Sequence, residues 1–136
     1  MISANAIDPK RFSSLQGLRR LSALRAFRLE GPYLTDTTVG DLMYALAGRD
    51  SLSYLSLSLQ FNRITELPST LGNLNALREL LLSQNRLAIL PPSLYVLPNL
   101  IKLDIFGNRL CALTEKEKAW LRAHDADLGP DGQTYP

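Results

Sequence analysis

Apolar and polar positions recur along this chain on a fixed schedule. Leu77, Leu80, Leu82 and Leu87, with Asn85 among them, return 23 residues later as Leu100, Leu103, Ile105 and Leu110, with Asn108. Twenty-three residues earlier stand Tyr54, Leu57, Leu59 and Ile64, with Asn62. The tails agree as well: Leu67-Pro68 with Leu90-Pro91, Leu71 with Leu94, and Leu74 with Leu97. Two full units therefore run from Tyr54 to Asn99, and the strand half of a third follows. Apolar residues two apart, such as Leu80 and Leu82, have strand period and turn one face inward. Pro68, Pro91, Pro92 and Pro98 cannot continue a ladder, so the return path is expected to be tight or 3₁₀-like. No single unit can bury its own apolar side. The units must stack, with parallel strands ~4.8 Å apart.

Upstream of Tyr54 the schedule lengthens. Leu24, Phe27, Leu29 and Leu34 fit the strand pattern, with Pro32 in the place of Asn. Val39, Leu42, Met43 and Leu46 follow the i, i+3, i+4, i+7 spacing of one helix face, which predicts a helix over 37–47. Thr35 or Asp36 can cap its start and Gly48 can end it. A 28-residue spacing from this unit selects Leu52, Leu55 and Leu57 for the next strand, whereas the 23-residue spacing selects Leu57 and Leu59. The two differ by two residues, so the same face points inward either way. One longer strand is expected at this junction. Four strands are expected, near 25–30, 54–60, 79–83 and 102–106. Thr114 and Glu117 form a capping box that opens a helix over 115–124, with Trp120, Leu121 and Ala123 turned onto the last coil. Leu15, Leu18, Leu21 and Leu24 recur every three residues, like the back half of a repeat without its strand, and suit a cap for the first strand.

The pattern L-x-x-L-x-L-x-x-N-x-L, in three registered copies, resembles the leucine-rich repeat family over roughly 15–113. The unit before Tyr54 is similar to the longer, helix-bearing ribonuclease-inhibitor type. The resemblance implies an α/β fold: a right-handed solenoid with a short parallel sheet on its concave face and helix or 3₁₀ turns on its convex face. One domain is expected over 1–136, with a cap at 1–23, repeats at 24–113, a capping helix at 114–125 and a tail at 126–136. It also implies that Asn62, Asn85 and Asn108 form an internal ladder, their amides pairing with backbone groups, rather than a ligand site.

Composition narrows the function. The chain holds 29 leucines in 136 residues, which excludes intrinsic disorder. Its one cysteine, Cys111, cannot pair within the chain, and a free thiol suits a reducing compartment. Cys111 shares its repeat position with Thr65 and Ala88, as a small filler. The N-terminus lacks the order of a signal peptide, and no apolar run approaches the ~18 residues of a membrane span. A cytoplasmic protein is expected. A net charge of +2 is too small to imply nucleic acid. Cys111 and His124 lack a third, orienting group, and no metal or phosphate-loop motif is present. The chain is therefore expected to be non-enzymatic, without cofactor or metal.

Between the inward leucines, Arg28, Glu79, Leu81, Lys102, Asp104 and Phe106 face outward, and Phe61 borders them. Leu81, Phe61 and Phe106 are apolar where the fold does not require it, the mark of a protein-binding patch. Phe106 is the expected anchor; the rival is that it packs under the C-terminal helix beside Trp120. Arg63, Arg86 and Arg109 form a row that is either ordinary for such repeats or a stripe for an acidic partner. Lys10, Arg11, Arg19, Arg20, Arg25 and Arg28 form a basic flank, expected to be solvated. The resemblance implies a protein–protein interaction module, monomeric or weakly self-associating. Two alternatives stand beside it. One is the recognition or regulatory part of an enzyme system, such as a bacterial effector or a phosphatase or ligase regulator. The other is a small self-associating structural protein.

Overall fold

The computed structural model describes residues 2–3, 26–28, 34–47, 54–111, 113–124 and 126, the first two stretches as backbone alone. Five parallel strands lie in chain order in one sheet: β1 (Ile2–Ser3), β2 (Ala26–Arg28), β3 (Leu55–Ser58), β4 (Leu77–Leu81) and β5 (Lys102–Asp104). The four expected strands are thus joined by a fifth at the N-terminus, pairing Ile2 with Phe27 and Ser3 with Arg28. A two-residue strand carries too little periodicity to be seen in sequence. The expected N-terminal half-repeat and the basic side chains of 10–28 lie outside the described residues.

The junction between repeat lengths is resolved by register. Leu55 pairs with Leu77 but Ser56 pairs with Glu79, so Arg78 is one extra residue in β4. Such a bulge absorbs a one-residue mismatch while keeping side-chain parity on either side. The 23-residue spacing aligned Tyr54 with Leu77; Leu55 takes that place instead. Leu55, Leu57 and Leu59 then alternate inward, and all three are buried. At four residues, β3 is no longer than the five-residue β4, so the expected extra length appears as a third inward leucine.

Helix α1 (Asp36–Leu46) buries Val39, Leu42, Met43 and Leu46, the predicted stripe. Thr35 sits at its N-cap without a side-chain capping bond. Asp36 instead reaches the next coil, accepting from the Thr65 N–H at 2.7 Å, the Thr65 hydroxyl and the Glu66 N–H at 3.2 Å. Gly48 lies outside the described residues. The later return paths are 3₁₀ turns, Ser69–Asn73 and Pro92–Val96, each entered through a proline N-cap. Leu71 and Leu94 are fully buried beneath them. Each buried leucine contributes roughly 1.5–3 kcal/mol.

Helix α2 (Glu115–Ala123) closes the stack. Its capping box is formed: the Glu117 N–H donates to Thr114 Oγ1 at 3.2 Å, and the Thr114 N–H donates to Glu117 Oε2 at 2.8 Å. Leu121 is buried and Trp120 half-buried, but Ala123 is exposed. Two residues beyond Leu121 is about 200° around the helix, which points away from the coil. The edge strand is also plugged, because the Leu103 N–H donates to His124 O at 2.9 Å.

Candidate functional site

Strand parity sorts the sheet into an inward aliphatic face and an outward grid. Pairings of Ser56 with Glu79, Ser58 with Leu81, Glu79 with Lys102 and Leu81 with Asp104 set two rows across β3, β4 and β5. Gln60, Ser83 and Phe106 continue the same parity just past the strand ends, tied by backbone bonds between neighbouring coils. Leu81, half-buried, occupies the middle of this grid.

Polar neighbours of Leu81 are bonded to one another. Ser56 Oγ donates to Glu79 Oε2 at 2.8 Å, and the Tyr54 hydroxyl also bonds Glu79. Partial desolvation and the negative charge of Glu79 raise the Tyr54 pKa above its usual value. Gln60 Nε2 donates to Ser83 Oγ at 2.6 Å and to Asp104 Oδ2 at 3.0 Å, crossing from the first coil of the grid to the third. Asp104 Oδ1 accepts from the Phe106 N–H at 3.2 Å. These bonds hold the side chains in one arrangement without using Lys102, which is exposed.

Phe106 is 44% exposed and Phe61 57% exposed. The ring partners of Trp120 are Tyr95, edge-on at 4.9 Å, and His124, stacked at 3.8 Å. The cap is therefore built from Tyr95, Trp120 and His124, and sequence spacing alone did not reveal that Tyr95 joins it. The Arg28 side chain lies outside the described residues, though its backbone pairs with Ser58 and so shares the Leu81 row.

Inside the coils the three asparagines form the expected ladder. Asn62, Asn85 and Asn108 accept through Oδ1 from the N–H groups of Leu34, Ile64 and Leu87 at 3.0, 3.1 and 3.0 Å. The Asn85 and Asn108 Nδ2 groups donate to carbonyls of their own and the preceding coil, Asn85 to Leu82 O and Leu59 O, both at 2.9 Å, and Asn62 Nδ2 donates to Leu59 O at 3.0 Å in its own coil. The residue before each asparagine makes the turn with positive φ: Phe61 and Gln84 at 58°, Gly107 at 70°. Gly107 also admits the Gln84 side chain, whose Nε2 lies 2.5 Å from where a Cβ would stand.

The family profile described as Leucine rich repeat matches residues 45–110. The Protein flightless-1 homolog of Caenorhabditis elegans is 33% identical over 103 residues, 76% of this chain. The chain belongs to the leucine-rich repeat family. It spans only 8% of the length of that curated relative. No solved structure matches it. Leucine-rich repeat domains generally mediate protein–protein interaction and are typically non-catalytic.

Among the described residues of this leucine-rich repeat chain, no group of three His, Cys, Asp or Glu side chains could hold a metal ion. No described helix is long and apolar enough to cross a membrane. Cys111 is exposed rather than a filler, as are Thr65 and Ala88 at the same repeat position. This position follows the buried Ile64, Leu87 and Leu110, so strand-like alternation turns it outward.

Proposed function

We propose that the chain is a non-enzymatic recognition module whose outward sheet face binds a protein partner. In this reading the coils wind as a right-handed solenoid and that face is concave. One observation carries the proposal: Leu81 stands at the centre of a pre-bonded polar grid, with exposed Phe106 at its corner. Binding hot spots pair apolar or aromatic anchors with a surrounding ring that excludes water. Phe106 is the anchor, Leu81 the apolar floor and Phe61 the loop rim. Lys102, Asp104, Glu79 and Arg28 supply orienting charge. The module is cytoplasmic in this reading, which the exposed free thiol of Cys111 supports.

A second reading, the recognition part of a larger enzyme system, draws on the much greater length of the relative that carries similar repeats. Edge-to-edge self-association is less favoured, because the Leu103 N–H on the edge strand is already taken by His124 O.

The test is quantitative capture of a partner by the wild type and by Phe106→Ala. The variant is expected to weaken capture by about 2 kcal/mol or more, the hot-spot threshold, while its melting temperature stays near wild type. Unchanged capture by a folded Phe106→Ala protein overturns the anchor.

A further inference from the structure

Arg63, Arg86 and Arg109 form a row on the loop rim beside the sheet. Each backbone N–H donates to the coil before it: Arg63 to Leu34 O at 3.3 Å, Arg86 to Ile64 O at 2.9 Å and Arg109 to Leu87 O at 2.9 Å. Ile64 and Leu87 directly follow Arg63 and Arg86, so the three backbones stand one coil apart, ~4.8 Å per step. All three side chains are exposed, and none has an ion pair among the described residues. The nearby acids are engaged elsewhere or stand apart. Asp36 is bonded to Thr65 and Glu66, and Asp104 to Gln60 and the Phe106 N–H. Glu66 is exposed in the first of these coils without an ion pair to Arg63. Like charges at this spacing repel, and among the described residues no carboxylate pairs with them. Beside the row, exposed Phe61 is held at φ 58°, a region that bulky side chains rarely adopt and that Gly107 adopts freely at the same position two coils later.

We propose that this rim docks a short acidic segment of a polypeptide, the guanidiniums taking its carboxylates and Phe61 a neighbouring apolar side chain. Charge complementarity requires an anion, and the planar guanidinium fork matches a carboxylate bidentately. Two coil steps span about 10 Å, the reach of about three residues of extended chain. A nucleic acid fits less well, because tight backbone binding draws on about 6–10 neutralised phosphates and this row offers three cations on a chain of net charge +2. The inference deepens the partner-binding reading by naming the partner's chemistry, and it makes no use of Phe106.

The test titrates the full chain, by fluorescence anisotropy at low salt, with labelled Glu-Leu-Glu-Glu-Leu-Glu, its lysine counterpart and oligothymidylate. The wild type is expected to bind the glutamate peptide, more weakly as salt rises, and to ignore the lysine peptide. Combining Arg63→Gln, Arg86→Gln and Arg109→Gln should weaken binding about tenfold or more, three exposed ion pairs being removed, with the melting temperature unchanged or raised. Arg86→Gln alone should show a smaller loss. Phe106→Ala should bind the peptide as the wild type does, so that failure of the sheet-face anchor and failure of this row are distinguishable. Equal affinity of wild type and triple variant, no binding by the wild type, or tighter binding of oligothymidylate than of the peptide would overturn the proposal.

Discussion

Replacing Asn85 with alanine removes the amide at the centre of the ladder, and the structure lets the cost be worked bond by bond. The Ile64 N–H loses its partner, Asn85 Oδ1 at 3.1 Å. The carbonyls fare better. Leu59 O still accepts from Asn62 Nδ2 at 3.0 Å, Leu82 O from Asn108 Nδ2 at 3.0 Å and Ser83 O from the Phe61 N–H at 3.1 Å. One orphaned buried N–H costs about 1–3 kcal/mol, and the two short donated bonds add about 1 kcal/mol each, for roughly 3–5 kcal/mol. At about 3–4 °C per kcal/mol for a chain of this size, the melting temperature should fall by roughly 10–20 °C. Asn108→Ala should cost more, because it strands both the Leu87 N–H and Ile105 O, which has no second donor among the described residues. Arg86→Ala, one residue from Asn85 but exposed, is the control. Thermal unfolding followed by circular dichroism reads all three. If Asn85→Ala loses no more than Arg86→Ala, the ladder does not bind coil to coil as argued.

Leu82→Asp should unfold the domain by burying an unpaired charge, whereas Leu81→Asp on the outward face should leave the melting temperature nearly intact; equal losses would mean that strand parity is misassigned. Burial raises the Asp36 pKa, but the bonds from Thr65 and Glu66 outweigh it and hold the carboxyl below its usual value. The stability this supplies is present above the unfolded carboxyl pKa and lost as pH falls through the folded one, so Asp36→Asn should flatten the acid side of the melting profile below pH ~4. Burial, followed by the charge of Glu117 and a bond to it, pushes the Tyr95 pKa up to about 12. That stability is full below the unfolded tyrosine pKa near ~10 and is lost as pH rises from there toward the folded value. Tyr95→Phe should therefore blunt the alkaline fall in melting temperature and remove the late-titrating phenolate from the absorbance curve.

The 23-residue spacing by itself determined the inward leucines, the prolines the 3₁₀ returns, and Thr114 with Glu117 the capping box, while the family resemblance implied the asparagine ladder. Each rests on contacts within one coil or between identical positions of neighbouring coils, so a repeating sequence states them repeatedly. Stacking decided the remainder. Whether Tyr54 or Leu55 meets Leu77 depends on where β4 takes up its extra residue, Arg78, and two repeat lengths are compatible with the same parity. The bond from Gln60 to Asp104 spans 44 residues and exists only because two coil steps bring the sheet ends together. Phe61 makes the same left-handed turn as Gly107, although nothing in an aromatic side chain announces positive φ; it shares that turn with Gln84 and Gly107 because each directly precedes a ladder asparagine. Tyr95, Trp120 and His124 meet because α2 folds back over the preceding return turn, an angle set by packing. Local periodicity writes the coil, but contacts between unlike positions of different coils are decided only when the coils are brought together.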